Sequence, residues 1–460
     1  MHTATSSHVK GQAVTSPAMN KWLFALLPCV TMSLGWGLRG QLGHSTGAMI
    51  PGALVALALC SLLPAKQFSR GRTVGLGAIA FGYGATMTTQ DTADLALRWI
   101  FNPGSTLTMA FTGLAIKGAL WALFGGVFLG LALAAYKYRW RDVVVGMIFM
   151  LAAFPLGWEL INKPRPVYFS VTRHEIYGGF LFAGIALLVW LTYRGRTTIP
   201  LVLSLCAAVA GAIGLQMGAF LAGAGSHSAH VGRWYDWWKV LELTFGACMG
   251  IGLGIGTYLI KDKLPGLNRT GKPTSKAFSR AWATGLGLVI CEAFAILSHY
   301  RLGGWLIFGS VLLCIVFYFP KQVGWHVGIT MTVYVNAVNI ITYWHREQKI
   351  GNLVILWILV WLLTLAASWL VAGWWEDDQK STAVRKAYLF LMWTIVVLTG
   401  LRGFIIRAVL HPPAQALQAA GNRVLYTVET WGSAFTVQIV LAALAVLLTW
   451  LIVRCTPDPG

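Results

Sequence analysis

The sequence predicts an all-α polytopic membrane protein of about fourteen transmembrane helices in tandem four-helix repeats (4+4+4+2). Three observations carry that reading. The 460 residues are 57% hydrophobic and only 11% charged, where a soluble globular protein carries about 25% charged residues. The apolar residues gather in runs long enough to cross a bilayer, which takes ~20 residues per helix. The 35 Lys and Arg, which outnumber 15 Asp and Glu and give a formal charge of +20, are scattered between those runs and form no patterned basic face. This composition excludes an ordinary cytosolic domain, a disordered chain and a coiled coil. It also carries no nucleic-acid footprint.

Residues 1–19 are polar and Ser/Thr-rich and read as a cytoplasmic N-terminus. No small-residue cleavage site follows the first apolar run, which reads as a retained signal anchor. Residues 20–260 form a first membrane domain of two four-helix repeats. Its spans are centred near residues 29, 55, 80, 124, 151, 184, 211 and 248. Residues 261–281, rich in Lys, Pro and Gly, are a basic cytoplasmic linker. Residues 282–460 hold a second membrane domain of about six helices, centred near 290, 311, 335, 363, 395 and 442. The Lys and Arg of the connecting segments favour one side, the pattern that places those segments inside. The protein is therefore expected in the cell membrane, multi-pass, with both termini cytoplasmic.

The repeat rests on strings that recur at constant offset. Residues 174–188 read HEIYGGFLFAGIALL and residues 299–313 read HYRLGGWLIFGSVLL. Gly37-Leu38-Arg39-Gly40 recurs as Gly400-Leu401-Arg402-Gly403, and the stretch from Lys117 to Gly125 resembles Lys239 to Gly246. The Gly-rich stretches Phe124-Gly125-Gly126 and Gly246 to Gly256 suit close helix packing in lipid, where small residues let backbones approach.

An ionisable group within a span costs at least ~2.5 kcal/mol at the bilayer centre and is a functional candidate by default. Arg39 and His44 flank the turn after the first span; glycines on both sides of Arg39 suggest irregular backbone lining a cavity. Asp91, Asp94 and Arg98 fall on one helix face. Glu159, Lys163, Arg165, Arg173, His174 and Glu175 crowd the loop between the fifth and sixth spans, where two prolines favour extended chain. Arg233 lies in a Trp-rich segment that reads equally as an interfacial belt. Lys239 and Glu242 follow at i, i+3 and can neutralise each other. Glu292 stands in an apolar run without a local partner, and Arg402 repeats Arg39. The candidate ligands of an anionic or polar solute are thus Arg39, His44, Lys163, Arg165, Arg173, His174, Arg233 and Arg402. The candidate proton-coupling groups or general bases are Asp91, Asp94, Glu159, Glu242 and Glu292.

Seven cysteines lie mostly as single residues in apolar runs, with no metal-ligand spacing. His44, His174 and His299 read as polar helix ends hydrogen-bonding between repeats. No metal and no cofactor is expected. No P-loop, HExxH or strand–GxSxG–helix pattern is present. The function these features predict is a secondary transporter of an anionic or polar organic solute, with proton coupling. The alternative is an integral membrane enzyme (a glycosyl, acyl or phosphoryl transferase) acting at the outer face on a lipid-linked substrate. Partners are then the bilayer and a small anionic or lipid-linked solute, with no nucleic acid; no feature sets an oligomeric state.

Overall fold

The computed structural model describes residues 21–42, 44–63, 68–84, 107–164, 168–169, 175–227, 235–264, 280–299, 304–347, 352–374, 381–402 and 423–455. Among them the chain is helical and contains no strand. Bilayer hydrocarbon offers no water to satisfy backbone groups, so each segment must satisfy its own.

The helices of the first half are α1 (Lys21–Leu42), α2 (His44–Gly47), α3 (Met49–Leu62), α4 (Arg70–Gly84), α5 (Leu107–Leu133), α6 (Trp140–Gly157), α7 (Tyr177–Gly195), α8 (Ile199–Ser226) and α9 (Trp237–Ile260). A π-helical turn, Trp158–Asn162, extends α6. The second half has α10 (Arg280–His299), α11 (Gly304–Tyr318), α12 (Gln322–Trp325), α13 (Thr332–Glu347), α14 (Leu353–Trp374), α15 (Ser381–Gly400) and α16 (Arg423–Cys455). A second π segment, His326–Met331, joins α12 to α13.

Ten helices among the described residues are long and apolar enough to span a bilayer. This is the architecture of a multi-pass helical membrane protein. The remaining apolar helices fall short for physical reasons. α3 has 14 residues and α4 has 15, so each extends about 21–23 Å against a hydrocarbon core of about 30 Å. Both are buried along their whole length, so protein rather than lipid surrounds them. α11 is also 15 residues long. The α12–α13 stretch carries Asn336 and Asn339, which lower its hydropathy.

The core is a closed ring: α1 packs on α3, α3 on α4, α4 on α5, α5 on α8, α8 on α9, and α9 back on α1. Glycines set its closest approaches. On α9, a Cβ at Gly246, Gly250 or Gly254 would collide with the backbone carbonyls of Met32, Pro28 and Phe24 of α1. Four-residue spacing puts these three glycines on one stripe, as small residues at membrane helix contacts require. Gly118 of α5 and Gly211 of α8 meet in the same way, each facing the other's carbonyl. The α6–α7 hairpin lies against α5 and α8. In the second half, α11 and α12 dock on α4, α15 on α3, and α16 on α1, while α10 pairs with α14.

Candidate functional site

The ring closes where the last turn of α1 meets the first turns of α9. Asp236 starts α9 there, its carboxylate accepting the Trp238 N–H at 3.1 Å, the standard N-terminal cap. This fixes Lys239 and Glu242 one turn apart, both buried. The Lys239 ammonium donates to Glu242 Oε2. The other carboxylate oxygen faces Arg39, with Nη1 3.9 Å from Oε1. Gly40 makes this approach possible: a Cβ there would occupy the position of the Glu242 carboxylate.

Arg39 is also seated between two indoles. Its Cζ lies 5.6 Å from the rings of Trp36 and Trp121, which pack edge to face at 4.6 Å. Both rings present negative faces to a cation. Arg39 Nε is nevertheless buried with no hydrogen-bond partner, although the side chain as a whole is 22% exposed. Two cations therefore converge on the Glu242 carboxylate, with the Asp236 carboxylate at the start of the same helix. The N-terminal dipole of α9 adds positive potential at the same point.

Around this cluster the broken chain after α1 supplies further polar groups. The backbone stays helical through Arg39 to Leu42, so the glycines beside it serve close packing. Arg402 donates to the Gln41 carbonyl, one of the orphan carbonyls at a helix C-terminus. The two Gly-Leu-Arg-Gly strings thus meet in space. Gly47 of α2 sits between Arg39 and Asn336: a Cβ there would lie 3.5 Å from Arg39 Cγ and 3.8 Å from Asn336 Oδ1. Asn339 donates to Thr46 Oγ1 at 3.0 Å. Asn336 spends its amide N–H on the Thr332 carbonyl at 2.7 Å, while its Oδ1 is buried without a partner. Burial, followed by the charges of Asp236 and Glu242, holds the Tyr235 phenol above its ordinary pKa, so it stays a neutral hydroxyl beside the cluster.

A second buried charge pair lies one helical turn from Trp121. Lys117 of α5, fully buried, reaches Glu175 Oε1 at 3.4 Å, and Glu175 is 1% exposed. The same oxygen accepts the Phe169 N–H at 3.0 Å. Glu175 immediately precedes α7, whose first N–H groups are capped by Asn162 Oδ1, 2.7 Å from the Gly178 nitrogen. Among the described residues this is one acid facing one base.

The other sequence candidates separate. Glu159 and Lys163 pair with each other at 2.6 Å in an exposed i, i+4 bridge, away from both buried clusters. Glu292 is exposed on α10 and makes no ion pair among the described residues. Arg402 joins the Arg39 region, as does Glu242. Asp91, Asp94, Arg165, Arg173, His174 and Arg233 lie outside the described residues, and His44 is described only as part of the α2 backbone. Among the described residues no three His, Cys, Asp or Glu side chains converge as a metal would need. Sequence reasoning passed over Lys117, Trp121 and Asn336 as site residues. The one signal for Lys117 was its match to Lys239 in the internal repeat.

No protein-family model, curated protein or solved structure matches the chain.

Proposed function

We propose that the protein is a secondary transporter for a small organic anion, and that Arg39 and Lys239 form its anion site. The observation that carries this reading is that two cations, buried Lys239 and partly exposed Arg39, share the single carboxylate of Glu242, in a cradle of Trp36 and Trp121. A cation that only partly shares a carboxylate in a poorly solvated place favours the approach of a further anion. Arginine's planar fork suits a carboxylate or phosphate, and Arg39 keeps one N–H unspent. Asn336 Oδ1 supplies an acceptor nearby, which fits a solute bearing a hydroxyl or amine next to its anionic group. Glu242 is the acid of this reading, displaced from Arg39 when the solute binds.

The wider reading has about fourteen passes, obtained by adding α3, α4, α11 and the α12–α13 unit to the ten long helices. It retains tandem four-helix repeats, in which Lys117 and Lys239 are equivalent buried lysines, each with a buried glutamate. It places both termini on the cytoplasmic side of the cell membrane.

The test is uptake by the purified full chain in proteoliposomes, offered a panel of labelled carboxylates and phosphates with and without a pH gradient. Saturable uptake of at least one anion supports the proposal. No flux for any of them, together with turnover of a lipid-linked donor by the same vesicles, transfers the site to a membrane transferase.

A further inference from the structure

A groove of about 590 Å³ runs between α6 and α11. On α6 its wall is Trp140, Val144, Ile148 and Leu151, whose spacing puts them on one stripe of the helix. On α11 the wall runs from Ser310 to Tyr318. The stripe faces outward, with Ile148 57% exposed and Val311 54%.

Depth selects the kind of occupant. Trp140 and Leu151 bound the groove on α6 and lie about 16 Å apart along the axis. The span to which they belong runs 23 residues, from Trp140 to Asn162. The groove therefore opens at one end of the span and stops at its middle. Bilayer hydrocarbon is about 30 Å thick, so this is the depth of one leaflet. A partner helix crosses both leaflets, and half of it would lie beyond the groove. The hydrocarbon chain of a lipid crosses one.

Charge selects the headgroup. At the open end Trp140 and Tyr318 meet edge to face, their ring centres 6.1 Å apart, as amphipathic rings do at headgroup level. The Arg141 guanidinium lies 5.6 Å from the Trp140 ring. Arg139 precedes Trp140, Lys321 follows Phe319 by two residues, and all three cations are exposed. The acid of this turn, Asp142, is buried. It accepts from Arg194 at 2.7 Å and from the Arg139 N–H at 2.8 Å. The closed end, at Leu151 and Ser310, is lined by no charged side chain. Cations at the mouth above apolar walls match an anionic lipid with its head outward and its chain inward.

We propose that this groove binds one anionic phospholipid of the leaflet in which α6 begins, its phosphate against Arg141 and Lys321 and one acyl chain along Val144, Ile148 and Val311. The site shares no residue with the Arg39 cluster, so it stands or falls independently of the transport reading.

The experiment gives the delipidated full chain, in a neutral detergent, dioleoyl phosphatidylglycerol or dioleoyl phosphatidylcholine, and counts retained lipid by native mass spectrometry. The wild type should retain its first phosphatidylglycerol about tenfold more tightly than phosphatidylcholine, the scale of two basic side chains at a headgroup. Arg141→Ala with Lys321→Ala should bring the two lipids to within about twofold. Ile148→Trp, which fills the groove from an outward position, should weaken the first molecule of both. Lys261→Ala with Lys263→Ala, at the end of α9, should leave the preference unchanged. The thermal midpoint verifies that each variant is folded. Equal retention of the two lipids by the wild type overturns the proposal, as does an undiminished preference in folded Arg141→Ala/Lys321→Ala. A loss of equal size in Lys261→Ala/Lys263→Ala would make the selectivity a property of the whole basic face and also overturn it. So would wild-type dimers that Ile148→Trp dissolves, which would give the groove to a second copy.

Discussion

Lys117 of α5 and Lys239 of α9 are buried lysines on two ring helices that both pack on α8, Lys239 in the first turn and Lys117 almost three turns in. Both are buried, and both meet a buried glutamate. The difference lies in what surrounds the pair. Around Lys117, among the described residues, one acid meets one base, and the Glu175 carboxylate also accepts a backbone N–H from Phe169. Around Lys239 the carboxylate is shared with Arg39, which retains an unspent N–H and partial exposure. Under the transport reading, the Lys117–Glu175 pair holds the fold, whereas the shared carboxylate at Lys239 and Arg39 gives way to the solute's negative charge. The distinction between a structural and a functional buried charge is thus drawn by how the carboxylate is shared, not by burial.

The largest expected effect falls on the Lys117–Glu175 pair. Lys117→Met leaves Glu175 buried and uncompensated, which should cost about 3–5 kcal/mol of stability. The thermal midpoint in detergent measures it. Adding Glu175→Gln to the same chain should restore most of that loss, since an apolar and neutral replacement of both partners is far less costly than an orphan. If the double variant is no more stable than Lys117→Met, the pair is not a closed unit.

The Arg39–Lys239–Glu242 cluster should respond differently. Gly40→Ala places a methyl group on the Glu242 carboxylate, so the acid must move away from Arg39. Overpacking of this kind costs about 1–3 kcal/mol, and uptake should fall with it. Uptake at wild-type level in Gly40→Ala would mean that the Arg39–Glu242 approach is irrelevant to transport. Arg39→Lys keeps the charge and loses the fork and the stacking on Trp36 and Trp121. It should lower kcat/KM for the transported anion about tenfold, near 1.4 kcal/mol, while the thermal midpoint barely moves. At the bottom of the scale, Glu159→Gln breaks an exposed pair and should change stability by no more than about 0.5 kcal/mol.

How much of this was legible in the sequence follows from range. The membrane class was readable because it depends on composition and run length alone. Lys239 with Glu242 was readable because three residues on a helix bring side chains together. Arg39 joins them from another helix 203 residues earlier in the chain, and Lys117 finds Glu175 at a separation of 58 residues. Pairings of that kind depend on which helices neighbour which, and no local periodicity encodes it. The sequence reads α3 and α4 as spans from their apolar runs, but they form only 14 and 15 helical residues, because a helix enclosed by other helices need not match the bilayer thickness. Gly40 looked like a sign of irregular backbone. It lies within α1, and its missing side chain is what lets a carboxylate from α9 approach.

The most direct test compares two variants in one assay: proteoliposome uptake of the organic-anion panel by Arg39→Gln and by the Lys117→Met/Glu175→Gln double variant, with folding of each verified by its thermal midpoint. The account predicts that Arg39→Gln folds and loses uptake, whereas the double variant folds and retains it. Uptake at wild-type level in Arg39→Gln, or its loss in a folded double variant, would contradict the assignment of the anion site to the Arg39–Lys239–Glu242 cluster.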